Sequence, residues 1–244
     1  MLKSVKDLGA LTFSENSEEW VEFGPTDDRR RVGFHDYAAI YAVPGLYERL
    51  FYETLGMRST AEVVRLFGEV LAAEGLDPHE QRVVDFGAGN GLGGDALRAL
   101  GAGEIVGVDI EPMAREAAER DRPGVYDDYV VGDLGTWSTG GLDELRRRGP
   151  TAVLLLSAVG IGHVPPQVLE QALGLLGRGG IYGFAVTPTL LPESDDPDGQ
   201  ASGYPYFLHA LKQRTELLAE ASYVHRCRPD GSDDLAVAFI GRIR

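Results

Sequence analysis

The chain has 244 residues, of which 43% are hydrophobic, and its formal net charge at pH 7 is -15. This composition predicts one large domain with a packed core, and the negative charge disfavours nucleic acid and anionic membranes as partners. Cys227 has no intramolecular partner, no signal-peptide pattern opens the chain, and the longest apolar run, 151–162, is too short to span a bilayer, so we expect a cytoplasmic protein.

The first third of the chain is predicted to form a helical N-terminal cap. Residues 1–30 are polar and of mixed charge, and we expect them to be loosely ordered. Residues 37–50 have helical spacing that a Pro-Gly pair interrupts, which predicts two short helices, and an apolar stripe at 60–74 predicts a longer one. We therefore expect a single domain in which 1–78 form a cap or lid and 79–244 form the core.

From residue 82 onward, short apolar runs alternate with helical patterns, which predicts parallel strands joined by crossover helices. The predicted strands are 82–86, 104–109, 128–131, 151–157 and 180–186, and the predicted helices are 92–100, 112–120, 141–148, 166–176 and 206–221. Two further strands, 223–228 and 235–240, alternate around a Pro-Asp-Gly-Ser turn and predict a hairpin. The fold class is thus α/β, with a doubly wound, mostly parallel seven-stranded sheet that ends in a C-terminal antiparallel hairpin.

A glycine-rich turn follows the first predicted strand of this sheet. Residues 83–91 read V-V-D-F-G-A-G-N-G, and the next predicted strand ends at Asp109, twenty residues after Gly89. This is the pattern of the first βαβ half of a nucleotide-binding sheet, in which glycines let the backbone approach a ligand and the second acid accepts hydrogen bonds from a ribose diol.

Two ligand classes fit this turn. The segment from Gly89 to Gly94 matches the G-x-G-x-x-G fingerprint of dinucleotide binding, which favours NAD. Asp85, however, stands at the strand end before the glycines, where a carboxylate would repel a pyrophosphate. It would attract a ligand that carries an ammonium group and a sulfonium centre, as S-adenosylmethionine does.

Four motifs in this order resemble those of the class I S-adenosylmethionine-dependent methyltransferases. They are D-F-G-A-G-N-G at 85–91, G-V-D-I at 107–110, V-G-D-L at 131–134 and the leucine- and glycine-rich turn at 175–181. The resemblance covers 81–186 and implies S-adenosylmethionine as cofactor, with methyl transfer by direct displacement at the sulfonium methyl group. The C-terminal hairpin also favours this family, because a dinucleotide domain would continue with another crossover helix.

The resemblance assigns cofactor contacts to three side chains near the first two strands. It implies that Asp85 meets the amino-acid end, that Asp109 holds the ribose and that Ile110 packs against the adenine. Asp109 could instead cap the following helix, or do both. The full set of predicted cofactor contacts is Asp85, Gly87, Ala88, Gly89, Asn90, Gly91, Asp109, Ile110, Asp133, Leu134 and Ser157.

The adenine amino group has its own predicted partner after the third strand. In the resembled family an acid at this point accepts from that group, and the amide of the next residue completes the contact, which here implies Asp133 and Leu134. Asp127 and Asp128 are close by and remain alternatives, because strand boundaries read from one sequence drift by a few residues.

The segment after the fourth predicted strand should face the methyl acceptor. It has neither the Asn/Asp-Pro-Pro-aromatic motif of base methylation nor the strand-end aspartate of magnesium-dependent catechol enzymes. His163 is similar to a histidine of many small-molecule methyltransferases and is a candidate general base, with orientation of the next helix as the alternative. Tyr37, Tyr41 and Tyr52 are candidates for substrate binding or for ordinary helix packing.

The predicted function is therefore S-adenosylmethionine-dependent methyl transfer to a small organic molecule, by a monomer or homodimer without nucleic-acid or membrane partners. A general base is optional, since the sulfonium is already a good leaving group. An S-adenosylmethionine enzyme without methyl transfer, a nicotinamide-dependent oxidoreductase and an inactive cofactor-binding regulator remain alternatives. The histidines are scattered without paired-ligand spacing, so no metal site is predicted.

Overall fold

The computed structural model describes residues 8–13, 20–133, 135, 139–228 and 230–244. The N-terminal part begins with a three-stranded antiparallel sheet and continues into helices that lead to the main sheet. Its elements are β1 (Thr12–Phe13), β2 (Trp20–Phe23), β3 (Arg30–Gly33), α1 (Tyr37–Tyr41), a π-helical segment (Glu48–Thr54) and α2 (Ser59–Ala73).

The small N-terminal sheet was not predicted, because we expected a loosely ordered polar segment there. The alternation in β2 buries Val21 and Phe23, which pack with Phe34 and the aromatic face of the cap. On the other face, the Arg31 guanidinium donates to the Glu22 carboxylate across the β2–β3 pair. An alternation of only four residues between charged stretches is too short to stand out from a polar composition.

The main sheet has seven strands, as predicted. They are β4 (Arg82–Phe86), β5 (Glu104–Asp109), β6 (Asp128–Val131), β7 (Ala152–Leu155), β8 (Ile181–Val186), β9 (Thr215–Cys227) and β10 (Asp233–Ile243), in the order β6-β5-β4-β7-β8-β10-β9. The first five are parallel, and β10 runs antiparallel to both β8 and β9. The strand order reverses between β4 and β7, and a ligand crevice is expected outside the carboxyl ends of strands at such a point.

Helices cover both faces of the sheet, so the strands are apolar and buried on both sides. One face packs against α2 and α3, and the other against α5, α6 and α8. The remaining helices are α3 (Leu92–Leu100), α4 (Pro112–Asp121), α5 (Thr139–Arg147), α6 (Pro166–Leu173), α7 (Pro197–Ala201) and α8 (Tyr204–Arg214), with short 3-10 turns at Pro78–Glu80 and Pro188–Leu190. In the described part of the chain, no helix combines the length and the apolar character needed to cross a membrane.

The hairpin is longer than predicted, and the helix before it is shorter. We expected helix over 206–221, but α8 ends at Arg214 and β9 starts at Thr215. The Thr215 hydroxyl donates to the Leu211 carbonyl at 2.8 Å and lies 2.8 Å from the Tyr182 hydroxyl, which marks the end of the helix. The residues that follow are good helix formers, but pairing along the whole of β10 outweighs that local preference.

Candidate functional site

A cavity of about 470 Å³ lies at the carboxyl ends of β4 and β7, between the glycine-rich turn and the N-terminal cap. Its size is typical of sites for small ligands and cofactors. The predicted site residues that line it are Tyr37, Tyr41, Tyr52, Asp85, Gly87, Ala88, Gly89, Asn90, Asp109, Ile110, Asp133, Ser157 and His163. Gly91 faces Val125 and Arg122 instead, and Leu134 lies outside the described residues.

Asp85 is the most buried acid of the cavity, with 1% of its surface exposed. Its Oδ2 accepts a hydrogen bond of 2.7 Å from the Tyr126 hydroxyl, whereas its Oδ1 is buried without a partner. Burial, opposed by the Tyr126 bond and reinforced by the charge of Asp109, raises the pKa of Asp85 to about 7. A buried carboxylate with one unsatisfied oxygen is poised for a cationic group.

The glycines of the turn allow other parts of the protein to pack closely against its backbone. Gly87 has φ +77°, and a Cβ there would lie 2.5 Å from the Ala158 Cβ in the segment after β7. Gly89 has φ +54°, and a Cβ there would lie 2.6 Å from the Tyr41 hydroxyl of α1. A left-handed backbone and a neighbour at this distance both require glycine. Through these two glycines the turn contacts the segment after β7 on one side and the cap on the other.

Asp109 is held by two backbone amides at the end of β5. Its Oδ2 accepts from the Gly89 amide at 2.8 Å and its Oδ1 from the Glu111 amide at 2.9 Å. The N-cap of α4 is Glu111, whose side chain accepts from the Met113 amide, so capping is not the role of Asp109. Ile110 next to it lines the cavity with 65% of its surface exposed, which leaves an apolar face for a flat ring.

The structure separates the three acids that compete for the adenine side. Asp133 lines the cavity, and its Oδ1 accepts from the Gly135 amide at 2.8 Å. Asp127 instead accepts from the Ile105 amide and pairs with an arginine at the opposite end of the sheet, and Asp128 pairs with Arg148. Of these acids, only Asp133 lies at the cavity.

The cap contributes a chain of aromatic rings to the cavity. Tyr37 stacks on Tyr41 at 6.0 Å between ring centroids, Tyr41 lies 5.2 Å from Tyr47, and Tyr47 lies 6.1 Å from Tyr52. The Tyr52 hydroxyl is 2.6 Å from the Thr60 Oγ1, and its pKa is raised to about 12, mainly by burial. All four tyrosines line the cavity, where they present rings and hydroxyls to a ligand.

The cap is also tied to the glycine turn by charge. Glu48, in the π-helical segment, accepts from the Asn90 side chain at 2.8 Å and forms an ion pair of 2.8 Å with Arg122. Arg122 in turn pairs with Asp95 at 2.6 Å and donates to the Asn90 carbonyl at 3.1 Å. Asn90 is thus fixed by the cap, although it also lines the cavity.

The segment after β7 forms the other wall, where the acceptor was expected. Ser157 has φ +140°, a strained conformation for a residue with a side chain, and such strain concentrates at functional sites. His163 is exposed at the cavity, with its ring 5.0 Å from that of His35 and 6.0 Å from that of Tyr37. The Tyr204 hydroxyl donates to the Val164 carbonyl and anchors this segment to α8.

Several residues of the site were not found from the sequence. His35, Asp36 and Thr60 line the cavity, and Tyr126 holds Asp85 from behind it. His35 and Asp36 directly precede α1, where Asp36 caps the helix by accepting from the Ala39 amide, so a capping motif beside Tyr37 was an available signal. The hydroxyl of Tyr126 had no local signal, because its partners lie over thirty residues away.

The charges of the cavity distinguish the two ligand classes. Five carboxylate residues line it, and no lysine or arginine does among the described residues; the acids are Asp36, Asp85, Asp109, Glu111 and Asp133. These acidic side chains would repel a pyrophosphate, whereas they would attract a ligand with an ammonium group and a sulfonium centre. The residues present therefore fit S-adenosylmethionine and do not fit NAD. Among the described residues, no cluster of potential metal ligands occurs.

Known sequences match the segment that contains the glycine-rich turn and Asp109. Residues 69–123 match the family model of the ribosomal protein L11 methyltransferase (PrmA). Over 56 residues the chain is 45% identical to the ribosomal protein L11 methyltransferase of Aeromonas hydrophila and 43% identical to that of Colwellia psychrerythraea. Each match covers 22% of this chain and 19% of the relative, so the chain matches about a fifth of the length of these relatives.

Solved structures share the fold over most of the chain. The N-methyltransferase NodS from Bradyrhizobium japonicum, in complex with S-adenosylhomocysteine, superposes with a TM-score of 0.59 at 13% identity, over 86% of this chain and 97% of NodS. The O-methyltransferase TomG from Streptomyces achromogenes superposes with a TM-score of 0.51 at 18% identity, over 86% of this chain and 91% of TomG. At these identities the likeness establishes the fold.

The matched relatives contradict the prediction of a small-molecule methyl acceptor. Their name gives a protein, ribosomal protein L11, as the acceptor. The small-molecule prediction depended on the similarity of His163 to a histidine of small-molecule methyltransferases, and His163 lies outside the matched segment. The cofactor half of the prediction is confirmed: the matched segment at 69–123 is that of an S-adenosylmethionine-dependent methyltransferase family, and the sheet order is that of the class I methyltransferase fold.

Proposed function

We propose that this chain binds S-adenosylmethionine in the cavity and transfers the methyl group to a protein acceptor. The observation that carries the proposal is the buried Asp85, whose Oδ1 lacks a partner inside a cavity lined by acids and aromatic rings. A cation is the ligand group that satisfies such an oxygen best. The cofactor supplies that cation at its amino-acid end and, when bound, the electrophilic methyl group and its leaving group.

Four side chains would hold the cofactor from end to end. Asp85 receives the ammonium group, and Asp109 accepts from the ribose diol with the lone pairs that its two amide bonds leave. The exposed face of Ile110 packs on the adenine, and Asp133 accepts from the adenine amino group. Each contact uses a group already fixed by the fold, so little ordering is required on binding.

The wall formed by Ser157 and His163 would receive the acceptor. The main task of the protein in a direct displacement is to align the acceptor atom with the methyl group and to exclude water. His163 lies at the cavity beside His35 and Tyr37, where it can accept the proton that an amine or hydroxyl acceptor loses. The alternative role of His163, orientation of α6, predicts no such proton transfer.

A protein acceptor is supported by two observations. The relatives that share the cofactor segment are named for ribosomal protein L11. The chain also carries a formal net charge of -15, which attracts basic protein segments and accelerates their association at low ionic strength. A protruding side chain or an amino terminus of such a protein could enter the cavity from its open side.

The test is methyl transfer from labelled S-adenosylmethionine to ribosomal protein L11 and to a dialysed protein extract. We expect label in a protein band and S-adenosylhomocysteine as the second product. Heat-denatured enzyme serves as the blank. Release of a cleavage product other than S-adenosylhomocysteine would instead identify an enzyme that uses the cofactor without methyl transfer. Turnover without label in any protein would rule out the proposed acceptor class.

A further inference from the structure

Tyr126 contacts the cofactor turn from behind the cavity. It lies in the loop between α4 and β6, and it is not among the residues that line the cavity. Its hydroxyl donates to the Asp85 Oδ2 at 2.7 Å and accepts from the Gly94 amide at 3.3 Å. Its ring packs edge-on against Tyr129 at 5.3 Å and fills the space beside Gly94, where a Cβ would lie 2.9 Å from the ring. The hydroxyl also lies 3.3 Å from the Ala88 carbonyl, but its bond to Asp85 is the shortest of the three, so Asp85 is the group through which we expect Tyr126 to act on a ligand.

The Asp85 carboxylate is confined on two sides. Tyr126 holds its Oδ2, and Gly93 at the start of α3 faces it so closely that a Cβ there would lie 2.4 Å from that oxygen. The second oxygen, Oδ1, is buried and has no partner. The two oxygens thus differ in role: one is satisfied by the protein and the other is left for a ligand.

We propose that Tyr126 is a positioning residue for the amino-acid end of the cofactor, because its hydroxyl holds Asp85 in the orientation that offers Oδ1 to the ligand ammonium group. The inference rests on the proposed function, since it requires a ligand with that group. The same hydrogen bond opposes the effect of burial on the pKa of Asp85 and so favours the ionised form, which the ammonium group needs.

The test compares two ligands on one variant. Tyr126→Phe keeps the ring and removes the hydroxyl, and Tyr182→Phe is the control, because its hydroxyl bonds Thr215 in the core away from the cavity. S-adenosylhomocysteine has the ammonium group, whereas 5′-methylthioadenosine has the nucleoside and thioether without the amino acid. By calorimetric titration we expect Tyr126→Phe to weaken S-adenosylhomocysteine about tenfold and 5′-methylthioadenosine less than about twofold.

Two further readouts separate positioning from a general structural role. In an Asp85→Asn background, adding Tyr126→Phe should change the affinity for S-adenosylhomocysteine less than about twofold, because the group that Tyr126 orients has lost its charge. In Tyr126→Phe alone, the pH below which this affinity falls should move upward, since the bond that favours ionised Asp85 is gone.

The outcomes are distinct. Equal losses for both ligands, or an unchanged affinity for S-adenosylhomocysteine, would overturn the role of Tyr126 while leaving the cofactor assignment intact. Wild-type protein that binds neither ligand would overturn the proposed function and this inference with it. If Tyr126→Phe fails to fold, Tyr126→Met removes the same hydroxyl and is measured with the same two ligands.

Discussion

The hydroxyl of Tyr41 lies 2.6 Å from the position that a Cβ on Gly89 would occupy, so the cap and the cofactor turn share one contact surface. Tyr41 is buried, and its pKa is raised, first by burial and then by the charge of Asp109. The cap and the turn are therefore complementary in shape, and a substitution in one should change the stability effect of a substitution in the other.

Gly89→Ala should destabilise the protein by roughly 1–3 kcal/mol, because the left-handed backbone disfavours alanine and the new methyl group meets Tyr41. Tyr41→Phe removes the clashing oxygen. The double variant should therefore regain part of the lost stability, while the cost of placing alanine in a left-handed backbone remains. Urea unfolding of the two single variants and the double variant measures this coupling. Strictly additive losses would show that Tyr41 does not contact the turn in solution.

Asp85→Asn should stabilise the ligand-free protein at pH 8 and change it little at pH 4. Burial first of all, and also the charge of Asp109, raise the pKa of Asp85 from 3.8 to about 7, against the bond from Tyr126. The folded state therefore holds this proton more tightly than the unfolded chain, so ionisation of Asp85 costs stability as pH rises from about 4 to 7 and fully above 7. The gain at pH 8 should be on the order of 2–4 kcal/mol, since one pKa unit corresponds to about 1.4 kcal/mol.

Asp127→Asn is the control of opposite sign for this pH series. Burial tends to raise the pKa of Asp127, but bonds from the Ile105 amide and Arg98 outweigh it, so the pKa is lowered. Its variant should lose stability at neutral pH, and the loss should vanish as pH falls through that lowered pKa. Thermal unfolding from about pH 2 to pH 8 measures both variants, because the lowered pKa of Asp127 lies below its ordinary value of 3.8. A gain of stability for Asp85→Asn that does not change with pH would contradict the raised pKa of the buried Asp85 carboxyl.

Asp109→Ala should weaken S-adenosylhomocysteine about ten- to a hundredfold, because charge-assisted bonds to the ribose diol are lost. Glu111→Ala is the matched control: it lines the same cavity but caps α4 through the Met113 amide. That control should lose about 1 kcal/mol of stability, and its affinity should fall much less than that of Asp109→Ala. Calorimetric titration measures the affinity of both variants for S-adenosylhomocysteine. If the affinity of Asp109→Ala stays within twofold of the wild-type value, Asp109 only holds the turn and does not bind the ribose.

His163→Gln should lower kcat by about 10²–10⁴ while the affinity for S-adenosylhomocysteine stays within twofold, because shape is kept and basicity is lost. His209→Gln, an exposed histidine on α8, is the control and should leave kcat unchanged. Single-turnover rates and thermal stability are measured on the same samples. A purely structural histidine would show the reverse: lower stability with a fall in kcat of less than tenfold.

The strand and turn pattern of the core could be predicted from the sequence because it depends on near neighbours. Valines and glycines around Asp85 and Asp109 specify two buried strands, with a tight turn directly after the first. The alternation around the Pro-Asp-Gly-Ser turn specifies an antiparallel hairpin in the same way. These local signals were sufficient for the sheet class and for locating most of the predicted cofactor residues at the cavity.

The limits of strand and helix were decided by distant partners. After Thr215 the local preference is helical, but pairing with β10 makes these residues part of β9. The short alternation in β2 becomes a strand because Val21 and Phe23 pack under the cap. Local propensities differ by less than about 1 kcal/mol per residue, so pairing and burial between remote segments override them.

The arrangement of the site was likewise decided only by the tertiary structure. Tyr126 and Asp85 are in contact although they lie 41 positions apart in the sequence, and Glu48 and Asn90 lie 42 positions apart. His35 and His163, whose rings are also in contact, are separated by even more of the chain. No periodicity or motif links such pairs, because their contacts exist only after the sheet has formed and the cap has closed on it. By itself the sequence determined the kind of cofactor site; the packing of distant segments determined which side chains contact Asp85 and His163.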